Sequence, residues 1–183
     1  AFMQALFKLC AKVMLTIQEM PQPVIARIHG IATAAGCQLV SMCDLAVAAD
    51  VAKFAVSGIN VGLFCSTPAV GLARNMGRKE ALEMLLTGEF IDAGEAQRRG
   101  LVNRVVALGD LDEAVEHLVQ SILAKSPVAV ATGKQMFYKQ IEMGMDAAYQ
   151  MAAETMACNA MCEDAAEGID AFIAKRKPEW EGR

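Results

Sequence analysis

The residues best suited to chemistry lie in Pro23-Val-Ile-Ala-Arg-Ile-His-Gly-Ile-Ala-Thr-Ala-Ala-Gly-Cys-Gln-Leu39. A short β-rich run breaks at Gly30 into a small-residue turn, Ala34-Ala35-Gly36, which leads into an apolar segment. Small side chains let a ligand come close to the main chain, and amides at a helix start favour negative charge. That combination suits an oxyanion hole, where N–H groups hold an oxygen that gains charge during reaction. Close packing of a helix on a strand would select the same small residues. A second group, Lys175-Arg-Lys177, suits a phosphate by charge, although a basic helix end complements the helix dipole equally well. Phe172 lies three residues before Lys175 and shares its helix face.

Composition narrows the classes. A chain of 183 residues fits one domain with a small helical appendage. With 55% hydrophobic residues and only 14 Gly and 5 Pro, it reads as packed rather than disordered. A net charge of −4 leaves no electrostatic footprint for nucleic acid. No apolar run reaches the ~18–20 residues a membrane span needs, and Asp44, Asp50 and Lys53 interrupt the most hydrophobic third. The cysteines Cys10, Cys37, Cys43, Cys65, Cys158 and Cys162 stand in apolar neighbourhoods and read as reduced, mostly buried thiols of an intracellular protein. Two histidines and no CxxC pair argue against a metal centre. The chain opens without an initiator Met inside a helical pattern, so a preceding N-terminal portion is expected.

The elements that must position these groups follow from periodicity. Met3, Leu6, Phe7, Cys10, Val13, Met14 and Ile17 mark one apolar face of a helix over 2–19, ended by Pro21 and Pro23. Strands are predicted over 24–29, 44–50, 53–56 and 101–107, with a helix near 34–42. Thr67 is read as an N-cap with Pro68 at the first helical position. A further helix covers 79–86, and Asp92 caps one over 93–99 that Gly100 stops. Beyond Asp110 only helices are predicted: 111–123, one opened by Ser126-Pro127, 145–161 and 163–175. The fold class is therefore α/β, with residues 1–109 as a layered core and 110–183 as a helical region.

In order along the chain, Pro23-Val-Ile-Ala…His-Gly, Ala-Gly-Cys-Gln-Leu39, Met42-Cys-Asp-Leu-Ala-Val-Ala-Ala49, Ala81–Ala96, Arg99–Val106 and Glu167–Pro178 resemble the enoyl-CoA hydratase/isomerase (crotonase) family. Leu63-Phe-Cys-Ser-Thr-Pro68 resembles its enoyl-CoA hydratase domain-containing branch. The resemblance implies a spiral of ββα turns, of which 1–109 would be part, and a helical C-terminal trimerisation region. It implies an acyl-CoA thioester as substrate, with coenzyme A as part of that substrate and no separate cofactor. Ala35 would supply one of two amide donors to the thioester oxygen, within Ala34-Ala35-Gly36. The partner donor would lie upstream of residue 1. Phe172 and Lys175 would contact the coenzyme A adenine and phosphates of a neighbouring subunit.

The family's hydratases use two glutamates, one to orient and deprotonate water and one to supply a proton. Here the matching positions hold Gln38 and Gly58. Gln can hold a water but has no useful acid–base pKa, and Gly can do neither. Positioned acid–base groups contribute typically ~10²–10⁴-fold, so ordinary hydration should be crippled while enolate stabilisation survives. Cys65, Ser66 and Asn60, in a loop that is about two residues longer than in active hydratases, are candidate substitutes or packed loop residues. Glu80, Glu83 and Glu89 read as a solvated face, and Asp44 as a cap or turn residue.

The resemblance thus implies an enzyme stabilising a thioester enolate, nominally an enoyl-CoA hydratase (a lyase of fatty acid metabolism). The alternative is a catalytically silent acyl-CoA binding or assembly protein. A homotrimer or hexamer is expected, in the cytoplasm or alternatively the mitochondrial matrix.

Overall fold

Two short strands followed by helix form the repeating unit of the first part of the chain. The computed structural model describes all residues 1–183. Helix α1 (Phe2–Glu19) leads into β1 (Ile25–Ile28), β2 (Ile31–Thr33) and α2 (Ala35–Met42). Strands β3 (Leu45–Ala49) and β4 (Lys53–Ala55) precede a 3₁₀ turn over Ser57–Val61 and helices α3 (Ser66–Asn75) and α4 (Arg78–Thr87). Then come β5 (Ile91–Asp92), α5 (Ala93–Arg98) and β6 (Arg104–Val106). One sheet collects β1-β3-β6 and the other β2-β4-β5, all pairs parallel except β4 with β5. Parallel pairing requires a crossover between partners, and α2 supplies it between the first two repeats. Ile25 stands opposite Leu45 and Ile31 opposite Lys53, so each repeat lies directly over the next.

Small residues bring these layers close. Val47, Ala48 and Ala49 of β3 are wholly buried, as a parallel strand covered on both faces should be. Phe54, Leu72 and Met84 fill the space between sheet and helices. Met14 and Ile17 of α1 pack on Met42, whereas Met3, Leu6, Phe7 and Val13 of the same predicted face are exposed.

After β6 the chain is helical: α6 (Leu111–Leu123), α7 (Pro127–Gln140), α8 (Met145–Ala160) and α9 (Glu163–Ile173). Ser126 caps α7, its hydroxyl accepting from Ala129 N at 3.2 Å, with Pro127 where its missing N–H costs nothing. Two compact units result, Ala1–Ile17 with Val24–His117 and Gln18–Pro23 with Leu118–Arg183.

Several expectations need correction. The strand predicted over 101–107 covers only Arg104–Val106. Gly100, at φ +86°, reverses the chain so that Leu101 N donates to Ala96 O, and the amides of 101 and 102 close α5 instead of joining the sheet. Thr67 is not an N-cap. Ser66 N donates to Phe64 O at 2.8 Å, the helix starts at Ser66, and Thr67-Pro68 lie inside its first turn. Strands β2 and β5 went unpredicted because three and two residues are too short to show a period. Only Cys37 and Cys65 of the six thiols are buried; Cys158 is exposed and the others are intermediate.

Candidate functional site

The turn between β2 and α2 is held at both ends. Ala34 N donates to Ala55 O of β4 at 3.0 Å, and Ala34 O accepts from Gln38 N at 3.0 Å. Between those bonds Ala34 adopts φ 48° and ψ −114°, a region that normally favours glycine. Only Ala34 and Lys175 combine a side chain with positive φ in this chain. Ala35 then opens α2, and its amide makes no hydrogen bond, as the first amides of a helix have no intrahelical acceptor. Ala35 and Gly36 are exposed, so the N-terminus of α2 is open to a ligand.

Gln38 is buried, and its Oε1 accepts the thiol of Cys10 on α1 at 3.6 Å. Gly58 lies in the 3₁₀ turn, its carbonyl accepting from Leu63 N at 3.0 Å. A β-carbon on Gly58 would stand 2.6 Å from Leu63 O and 2.7 Å from Cys65 Sγ, nearer than atoms can approach. Cys65 therefore fills the room beside residue 58, while Ser66 and Asn60 are exposed. Burial pushes the Cys37 thiol up to about 12, with a smaller push from Cys65, so it is an uncharged packing group at neutral pH.

Sequence reasoning overlooked a hydroxyl pair here. Thr33 Oγ1 and Ser57 Oγ are 3.0 Å apart, one residue before Ala34 and one before Gly58. The pairing of Thr33 with Ala55 brings them together, and that register is invisible without β2. The remaining acids have structural partners or solvent. Asp44 Oδ2 accepts from Val24 N at 2.6 Å as a turn residue. Glu80 accepts from Gly77 N at the start of α4, Glu83 pairs with Arg99, and Glu89 is exposed. The first unit thus carries Ala34, Ala35, Gly36, Gln38, Gly58 and Cys65; the Thr33–Ser57 pair ties the turn at Ala34 to that at Gly58, Cys65 lies beside Gly58, and Gln38 is turned to Cys10.

The second unit carries Phe172 and Lys175. Phe172 is 84% exposed and, with Ile169 and Trp180, lines an apolar groove of about 420 Å³ edged by Lys125. Lys175, at φ 54°, follows the last turn of α9 and is exposed. No three His, Cys, Asp or Glu side chains are grouped to hold a metal ion. No helix is long and apolar enough to cross a membrane.

The family model described as enoyl-CoA hydratase/isomerase matches residues 3–183. The rat protein named enoyl-CoA hydratase domain-containing protein 3, mitochondrial, is 50% identical over 174 residues, covering 95% of this chain and 58% of that protein. The chain thus spans less than two thirds of the length of such relatives. An Escherichia coli protein named 2,3-dehydroadipyl-CoA hydratase is 34% identical over 171 residues, covering 91% of this chain and 66% of that one. A crystal structure titled enoyl-CoA hydratase from Mycobacterium smegmatis superposes with a TM-score of 0.96 at 61% identity, covering 98% of this chain and 70% of that one.

Proposed function

The chain belongs to the enoyl-CoA hydratase/isomerase family and has its crotonase fold, and from that premise we propose that it binds an acyl-CoA thioester and stabilises the enolate at Ala35. The observation that carries this reading is the unbonded Ala35 amide on a turn strained into shape at Ala34. When an enolate forms, negative charge collects on the thioester oxygen. A fixed N–H at a helix start meets that charge without reorganising. That thioester joins the acyl group to coenzyme A, which is thus part of the substrate, a reading that relatives with enoyl-CoA and dehydroadipyl-CoA hydratase in their names support. Phe172 and Lys175 would hold the adenine and phosphates from a neighbouring subunit of a homotrimer or hexamer. Exposed Tyr149, Met156, Ile169 and Ile173 support such an assembly. Relatives named mitochondrial support the matrix, the second compartment expected, over the cytoplasm.

Water chemistry is the weaker part of the family's repertoire here. Adding water across an enoyl bond places hydroxyl on the β-carbon and a proton on the α-carbon, and each transfer needs a group that ionises. Gln38 offers only an amide already engaged with Cys10, and nothing can extend from residue 58. Enolate chemistry that dispenses with paired carboxylates, such as decarboxylation or thioester cleavage, fits these residues better than hydration. The same sealed position favours the second reading, a catalytically silent acyl-CoA binder.

Ala35→Pro tests the oxyanion role, because proline is welcome at the first helical position and lacks the N–H. Turnover of the acyl-CoA should fall about 10²–10³-fold with the helix retained. Full turnover in a folded variant would dismiss the amide. If the wild type binds acyl-CoA and mass spectrometry finds the ligand unchanged, the silent binder is the correct reading.

A further inference from the structure

The other residue with positive φ, Lys175, sits in a built reversal. It is the first residue past the end of α9, where a left-handed residue lets the last carbonyls find donors. Arg176 N donates to Ala171 O at 3.0 Å and Lys175 N to Phe172 O at 3.2 Å. That pattern usually places glycine, and sometimes asparagine, where Lys175 stands. The chain then runs back along α9. Arg176 grips Glu167 through both oxygens, at 2.5 and 2.7 Å, and Glu179 N donates to the same carboxylate at 2.8 Å. The Trp180 indole N–H donates to Ala124 O at 2.9 Å, and its ring lies where Gly168 has no side chain. Farther on, Glu181 N and Gly182 N donate to Asp164, and Asp164 N donates to Arg183 O. Asp164 is itself buried and accepts from the Ser126 hydroxyl at 2.6 Å.

We infer that this returning tail, rooted in the Arg176–Glu167 pair, is a positioning device that holds Lys175 in its left-handed conformation and presents its ammonium to a phosphorylated ligand. The inference rests on the CoA-thioester reading above. Glycine would make the same reversal without strain, so a lysine there is explained by its side chain. Of the three consecutive basic residues, Arg176 is neutralised by Glu167, while Lys175 makes no ion pair and is exposed. The pair is strong enough to hold the Glu167 carboxyl down at about 2. Arg176 and Glu167 need not touch the ligand. They act through the backbone of the residue between them and the helix end.

The test compares binding of butyryl-CoA with binding of butyryl-pantetheine, which lacks the phosphates and adenine, by calorimetry on the intact protein. The wild type should prefer butyryl-CoA. Arg176→Gln, and separately a chain ending at Pro178, should each weaken butyryl-CoA about tenfold, equal to about 1.4 kcal/mol, and leave butyryl-pantetheine unchanged. Lys175→Gly should lose the same preference while melting at a higher temperature. An unchanged preference in these variants, or an equal loss for both ligands, overturns the positioning role. A wild type that binds neither thioester removes the CoA reading, and this inference with it.

Discussion

The Cys65 sulfur lies 2.7 Å from the point where a β-carbon on Gly58 would stand, and the Leu63 carbonyl lies 2.6 Å from it. The first obstacle is a side chain and the second is main chain, fixed by the Leu63 N to Gly58 O bond. Gly58→Glu should therefore destabilise the protein, by about 1–3 kcal/mol or more as overpacking does. Adding Cys65→Ala should recover only part. Gln38→Glu with Gly58→Glu should not restore loss of the crotonyl-CoA chromophore. Urea midpoints and that absorbance decide it: a stable, hydrating double variant contradicts the account.

Ala34→Gly should stabilise the chain. Ala34 holds φ 48° and ψ −114°, which costs of order 1–3 kcal/mol for a residue with a side chain. Glycine's extra freedom when unfolded takes back about 0.4–1 kcal/mol, so a net gain of roughly 1 kcal/mol is expected. Ala34→Val should do the reverse. Thermal melting of both variants reads the sign.

The Arg176 guanidinium holds the Glu167 carboxyl at about 2, below the ordinary 4.5. The folded chain then takes up this proton less readily than the unfolded one. The pair's stabilisation is complete above about pH 4.5 and fades as pH falls toward 2. Melting temperatures of wild type and Glu167→Gln should converge across that window and stay apart above it. Parallel curves would remove Glu167 as the cause.

Thiol labelling should separate the cysteines by burial. Cys158 is exposed, whereas Cys37 is wholly buried with its thiol pushed up to about 12. Iodoacetamide at neutral pH should modify Cys158 in the native protein and Cys37 only after denaturation, since the thiolate is the nucleophile. Peptide mass mapping before and after urea gives the order. Early labelling of Cys37 would show that the core around α2 opens.

Much of the fold was legible because its signals are local. The period of α1, the Asp92 cap whose Oδ1 accepts from Glu95 N at 2.7 Å, and Ser126-Pro127 each depend on neighbours a few residues away. The strand after Gly100 was misjudged because a helix cap and a sheet competed for the amides of Leu101 and Val102, and the cap won. Nothing in the residue types of 101–107 records that contest.

What the sequence by itself determined is the order of motifs, hence the family, together with an amide side chain at Gln38 and none at Gly58. Side-chain chemistry and spacing are written in residue types, and local hydrogen bonds follow from them. Only the tertiary structure decided that Cys10 occupies the Gln38 carbonyl, that Cys65 and Leu63 close the space beside Gly58, and that Ala34 and Lys175 carry left-handed backbones. Each depends on atoms that are distant in the chain or on a dihedral imposed by closure at both ends, and packing alone sets those.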